Sequence, residues 1–210
     1  MDMGGSAQNT LLTCLGLADR YELLLVYGLS RESRMTKTER RTVLKKLAVA
    51  RKKGVTVIPV ASLVRKIDLF EDIRAFISIW KLIIREKPAI VHTHSSKAGL
   101  LGRMAAKIAG VPIIVHTPHG HVFYGHFSPA TAKIFLFIER CMTLITDFTV
   151  ALTKGEKNDY VKLSISHPEN IVIIHSGVNI EQYMNVHVDR KDKKMSLGLN
   201  PDGLVVGTVG

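Results

Sequence analysis

At 210 residues, 46% of them hydrophobic, the chain can bury one sizeable core but not two full domains, and an ordinary charged fraction of 22% without low-complexity tracts excludes wholesale disorder. Twenty-nine Lys and Arg against eighteen Asp and Glu leave a net charge of +11, which attracts phosphate-rich ligands and anionic surfaces. The two cysteines, Cys14 and Cys141, lie far apart among apolar neighbours, which excludes a disulfide framework and suits reduced thiols of a cytoplasmic protein.

In chain order, Gly4 and Gly5 lead directly into a helical pattern from about Ser6 to Asp19. Short β-branched runs at 22–27, 55–60, 89–93, 113–117, 148–153 and 171–175 then alternate with helical patterns. Parallel strands need a long crossover that a helix supplies, so the expected fold class is α/β, a Rossmann-like doubly wound parallel sheet. Asp68 to Glu71 and Thr153 to Glu156 have the spacing of a capping box, and Ser128 stands before Pro129 at a helix start. Gly54 and Gly110 close helical patterns just before strands, where a left-handed residue belongs. The stretch from Ser128 to Asp147 carries apolar residues on nearly every side, including Ile134, Phe135, Phe137 and Leu144, and reads as a buried helix.

Residues 1–187 form the expected domain, 188–203 a polar linker and 204–210 the first strand of a further unit. A doubly wound fold delivers a strand into a turn such as Gly4–Gly5, and a lone strand cannot bury its own faces, so truncation at both ends is expected. No basic-then-apolar leader precedes Gly4, and the apolar region 134–152 is interrupted by Glu139, Arg140 and Asp147, so any membrane contact is expected to be peripheral.

Four places carry candidate chemistry. Gly4, Gly5 and Ser6 stand at a helix start, either a plain turn or a cradle whose amides receive a phosphate. In Val91-His92-Thr93-His94-Ser95-Ser96-Lys97 a strand passes into a helix. Period-two alternation places His92 and His94 on one side of that strand, while Ser95, Ser96 and Lys97 are either donors to a ligand or a cap and a solvated cation. After the next strand come His116, Thr117, Pro118, His119, Gly120 and His121, then Phe123, Tyr124, Gly125 and His126. Four histidines within eleven residues read as a polar, ligand-facing loop for sugar or phosphate. Their spacing fits no zinc motif and no carboxylate lies among them, so neither metal nor separate cofactor is expected. Ser176 and Gly177 follow the last strand, as amides for the same cleft or as a turn. The basic run Arg40, Arg41, Lys45, Lys46, Lys52 and Lys53 is either a solvated helix face or a dock for anionic lipid headgroups. Nucleic acid is not expected, because aromatics are not interleaved with these cations.

Taken together, Met3-Gly4-Gly5-Ser6-Ala7-Gln8, Ile90 to His94, Lys97 to Arg103, Gly110-Val111-Pro112, His116 to Gly120, Ala151-Leu152-Thr153 and Ile174 to Val178 resemble the amino-terminal domain of family-four glycosyltransferases. The resemblance implies the acceptor-side half of a GT-B fold, and sugar transfer from a nucleotide-sugar donor to a glycan or lipid-linked acceptor with retention of configuration. It implies that the glycine loop lies near the donor diphosphate and that His119 contacts the donor sugar, positioning and polarising rather than attacking. It departs mildly at Asn179 and Tyr183, where the family often has Asp and Phe. The family's donor-binding Arg and Lys and its paired glutamates belong to a carboxy-terminal domain, so this chain alone is expected to be inactive. A GT-B sugar-nucleotide epimerase and a non-catalytic sugar- or lipid-binding module are the alternatives.

Overall fold

The computed structural model describes residues 4–29, 35–120, 128–178, 180, 184 and 186–207. It divides into two compact units, Met1–Ser176 and Gly177–Gly210. In the larger unit the order is α1 (Gly5–Leu17), β1 (Leu24–Gly28), α2 (Lys37–Lys52), β2 (Thr56–Val60), α3 (Leu69–Glu86), β3 (Ile90–His94), α4 (Ser96–Ile108), β4 (Ile113–Thr117), α5 (Pro129–Thr143), β5 (Phe148–Ala151), α6 (Lys154–Lys162), a 3-10 turn (Pro168–Asn170) and β6 (Ile171–Ile173). All six expected strands are present, and every pairing between them is parallel.

The strands form two ladders, β1–β2 and β3–β4–β5–β6. Alternation along β1 sends Leu25 and Tyr27 into a core with Leu11 of α1 and Val43, Leu47 and Ala50 of α2. Val26 points the other way, into a core built by Val60, Ala75, Ile79 and Ile83 of α3, Leu101, Ala105 and Ala106 of α4, Val91 and Ile114. Helices therefore cover both faces of the β1–β2 pair, as a doubly wound sheet requires. A third cluster, Ala151, Tyr160, Ile165 and Ile171, lies under α6.

Local chemistry explains the element ends. Asp68 accepts from the Glu71 amide, Thr153 from the Glu156 amide and Ser128 from the Thr131 amide, caps of the kind worth about 0.5–2 kcal/mol each. The complete reciprocal box is at Thr36 and Glu39, which opens α2. Gly54 (φ 86°) and Gly110 (φ 72°) adopt the left-handed conformation after α2 and α4. Small residues set how closely α4 approaches the strands. A β-carbon on Gly99 would stand 2.4 Å from Cε1 of His116, and one on Gly102 would stand 2.8 Å from the Thr93 methyl.

α5 departs from expectation. None of its residues is buried, and Ile134 (59%), Phe137 (66%) and the following Leu144 (84%) are exposed. A helix that is apolar all round carries no directional signal to tell its inner side from its outer. Here the inner side is marked by Leu136 and by Glu139, a residue that looked like an interruption.

Glu139 answers a guanidinium that is fully enclosed. Arg103 is 0% exposed and donates from both Nη atoms to the Glu139 carboxylate at 3.0 and 2.9 Å, while its Nε donates to the Gly99 carbonyl at 3.0 Å. Tyr160 Oη reaches Glu139 Oε1 at 3.4 Å.

In the second unit, the stretch read as a linker contains α7 (Arg190–Ser196), capped by Asp189, which accepts from the amides of Lys191 and Asp192. Its dense charges masked a short helix. Leu204–Gly207 carry no regular secondary structure, and residues 208–210 lie outside the described ones.

Removing one member of the Arg103–Glu139 pair strands the other charge in the interior, so Glu139→Leu is expected to cost about 3–5 kcal/mol in urea unfolding. The double change with Arg103→Met is expected to recover most of that loss.

Candidate functional site

In open parallel sheets the strand carboxyl ends gather ligands, and here they gather histidines. On β3, His92 and His94 share the face opposite the one that packs on α4, as their spacing required. Their rings lie 4.3 Å apart between centroids. His92 Nε2 pairs with Thr117 Oγ1 at 2.8 Å. His94 Nδ1 pairs with His119 Nε2 at 2.9 Å, joining the two candidate loops by a direct imidazole–imidazole hydrogen bond.

On the other face, Thr93 and His116 are buried. Thr93 Oγ1 pairs with His116 Nδ1 at 2.9 Å, and His116 Nε2 lies 3.8 Å from Glu139. His116 thus belongs to the interior, not to the ligand-facing cluster in which the sequence placed it. Alternation along β4 decides this, since His116 pairs in register with Thr93. His121, Phe123, Tyr124, Gly125 and His126 lie outside the described residues.

Two of the four non-glycine residues with positive φ among the described residues stand at the same place, the others being Lys87 after α3 and Ser164 after α6. Ser95 (φ 62°) and His119 (φ 61°) are left-handed residues with β-carbons, each at a strand-to-helix or strand-to-loop junction, and the Ser95 amide donates to the Thr117 carbonyl at 3.1 Å. Such conformations persist where the surroundings over-determine them, and they cluster at functional sites. Ser95, the residue before α4, turns its hydroxyl back to the His94 carbonyl and leaves the helix start without a side-chain cap. Gly120 (φ 104°) requires a glycine; its amide donates to Glu156 Oε1.

The other sequence candidates take distinct places. Lys97 is engaged within the chain, paired with Asp72 and donating to the Lys66 carbonyl. Gly4 and Gly5 open α1, and a β-carbon at Gly5 would meet nothing within 4 Å, so packing alone does not demand glycine there. Asn9 of α1 donates to Ser176 Oγ at 3.1 Å, which brings the α1 start and the end of β6 to one neighbourhood. Gly177 opens the second unit. Glu156, which sequence reasoning read only as a capping residue, is the site residue it missed; its position three after Thr153 was the available signal.

The cluster is electrically neutral by construction. Burial foremost, then the proximity of other histidines, lowers His92 to about 4 and His94 to about 3. His119 is lowered by burial, with Glu156 pulling it back up. His116 sits well below the usual histidine value through burial and the Arg103 charge. Neutral imidazoles offer one donor and one acceptor each, which suits hydroxyl-bearing ligands. Among the described residues no group of three His, Cys, Asp or Glu could hold a metal ion.

Because these rings are more acidic when folded, an unfolded chain takes up protons first as pH falls through about 6.5. The stability they contribute is fully present above that pH and is lost as pH falls toward about 4 for His92 and about 3 for His94. Urea midpoints at pH 7.5 and 5 are expected to differ, and His94→Gln is expected to narrow the difference.

The Glycosyltransferase Family 4 model matches residues 3–182. The chain is 36% identical over 152 residues to the UDP-Gal:alpha-D-GlcNAc-diphosphoundecaprenol alpha-1,3-galactosyltransferase of Escherichia coli, covering 72% of this chain and 39% of that protein. It spans about two fifths of that curated relative's length. Anabaena Alr3699/HepE, solved in complex with UDP and glucose, superposes with a TM-score of 0.64 at 14% identity, over 93% of this chain and 47% of that one. A putative UDP-N-acetylglucosamine 2-epimerase from Listeria monocytogenes superposes with a TM-score of 0.55 at 16% identity, over 80% and 42%.

Proposed function

The chain belongs to glycosyltransferase family 4, and from that membership we propose that it is the acceptor-side domain of an enzyme that moves a sugar from a nucleotide donor to a lipid-linked or glycan acceptor with retained configuration. The observation that carries the reading is the His94–His119 hydrogen bond at the strand ends, with both flanking turns held in left-handed conformations. The galactosyltransferase relative, whose name gives a UDP-Gal donor and a GlcNAc-diphosphoundecaprenol acceptor, supports the substrate class.

In this reading the α1 start at Gly4, Gly5 and Ser6 receives the donor diphosphate, since amides there face a negative group and glycine admits close approach. His119 holds the transferred sugar, positioning and polarising it, and as a neutral ring it can either donate or accept a hydrogen bond. The donor is a substrate, and no cofactor is invoked. The epimerase alternative shares the fold, but the match of residues 3–182 to the transferase family favours transfer.

An acceptor anchored in a bilayer calls for a membrane-facing surface. No helix among the described residues is long and apolar enough to cross a membrane. The outer face of α2 presents Arg40, Arg41, Lys45 and Lys52 around exposed Leu44, with Lys53 following and Lys46 half-buried beside it. We assign it to the anionic inner leaflet, as a peripheral contact on the cytoplasmic side. Co-sedimentation with vesicles of anionic lipid is expected, to fall with rising salt, and to drop by about tenfold or more in Arg41→Glu/Lys45→Glu.

The function is tested by assaying UDP-sugar transfer to a GlcNAc-diphosphopolyprenol acceptor with this chain and with the polypeptide extended through the adjoining coding residues. Activity is expected in the extended form only, with His119→Ala lowering kcat about 100-fold. Interconversion of donor epimers, or sugar binding without turnover in the extended form, would replace this reading with one of its alternatives.

A further inference from the structure

The spacing of Thr153 and Glu156 promises a reciprocal capping box, and only half of it forms. Thr153 Oγ1 accepts from the Glu156 amide at 3.0 Å, as a cap should. The Glu156 carboxylate, however, does not return to the Thr153 amide. Its Oε2 accepts from the Leu152 amide at 2.6 Å, and its Oε1 reaches across to the Gly120 amide at 3.2 Å. Glu156 is buried, so both bonds are made out of competition with bulk water.

The effect is to tie the turn after β4 to the end of β5. That turn is the strained one: His119 and Gly120 follow each other with φ of 61° and 104°. A left-handed pair relaxes unless something beyond its own sequence holds it. Two groups hold this one, the His94 ring at the His119 side chain and the Glu156 carboxylate at the Gly120 amide.

We propose that Glu156 is the positioning residue for His119, a latch that keeps the turn left-handed so that the His119 ring meets His94 at the strand ends. The assignment rests on the reading of His119 as the donor-facing group, and it adds a buried carboxylate, on a different strand-to-helix junction, to the machinery of that site. Besides the backbone bond, the carboxylate favours the protonated form of His119 against the burial that lowers it. Removing its charge therefore moves the His119 titration to lower pH.

The test uses amide and imidazole NMR of the 210-residue chain in wild type, Glu156→Gln, Glu156→Asp and Thr153→Ala. Thr153→Ala removes the helix cap and leaves the carboxylate, so it reports a purely structural contribution. In Glu156→Gln the Gly120 amide is expected to move upfield and the His119 ring to titrate at lower pH. Glu156→Asp, which keeps the charge, restores part of the His119 titration. Thr153→Ala lowers Tm with both signals unmoved. In the extended polypeptide, Glu156→Gln is expected to lower kcat at least tenfold with KM little changed. Unchanged Gly120 and His119 signals in Glu156→Gln, or equal changes in Thr153→Ala, would overturn the latch. If the extended wild-type polypeptide transfers no sugar, the transferase reading fails, and the latch is still decided by the two NMR signals.

Discussion

A guanidinium taken fully out of water has to be answered within reach, and much of the larger unit is arranged around the answer to Arg103. Four hydrogen bonds run from it to the Glu139 carboxylate, the Gly99 carbonyl and Thr146 Oγ1, so α4 is bound to α5 through a forked pair whose geometry leaves little latitude. Tyr160 leans on the same carboxylate from α6, and burial together with that carboxylate's charge holds its phenol protonated far above the ordinary range. His116 completes the group from β4 and is kept neutral by burial and by the Arg103 charge. A pair of this kind contributes little net stability against an apolar replacement, but it permits a single arrangement of the three helices and the strand.

The same two strands that close over this interior deliver the site, because alternate residues serve opposite faces. Thr93 and His116 look inward to Arg103 and Glu139, whereas His92, His94 and Thr117 serve the other face. Rigidity on one side thereby becomes precision on the other: a tilt of β3 or β4 would disturb both networks together. The neutrality of the cluster follows from enclosure first and from the proximity of the other histidines second. Neutral rings offer hydrogen bonds rather than charge, and the nearby carboxylate of Glu156 is employed in gripping backbone amides.

What the sequence made legible was what depends on short-range signals. Period-two runs located all six strands, and Gly54 and Gly110 marked helix ends because the left-handed conformation costs glycine little. His94 and His119 were legible as candidates from their place at strand ends, and the structure brings the two side chains together. What depends on distant partners was not. The inward turn of His116 requires knowing its register with Thr93, and the burial of Arg103 requires Glu139, thirty-six residues away, on a helix whose uniform apolarity concealed its orientation. The division of the strands into two ladders is a matter of pairing that no local pattern encodes, and the redirected carboxylate of Glu156 looked, in sequence, like any capping residue.

The contact between Gly99 and the His116 ring also constrains how such a chain can vary. The imidazole occupies the space that any side chain at position 99 would need, and that ring is in turn held by Thr93, whose methyl fills the space beside Gly102. A larger residue on α4 becomes admissible only after a smaller one has appeared on the strand beneath it, and the reverse order opens a void in the core. Positions 93, 99, 102 and 116 are thus coupled by contact: a side chain at position 99 needs a residue smaller than histidine at position 116.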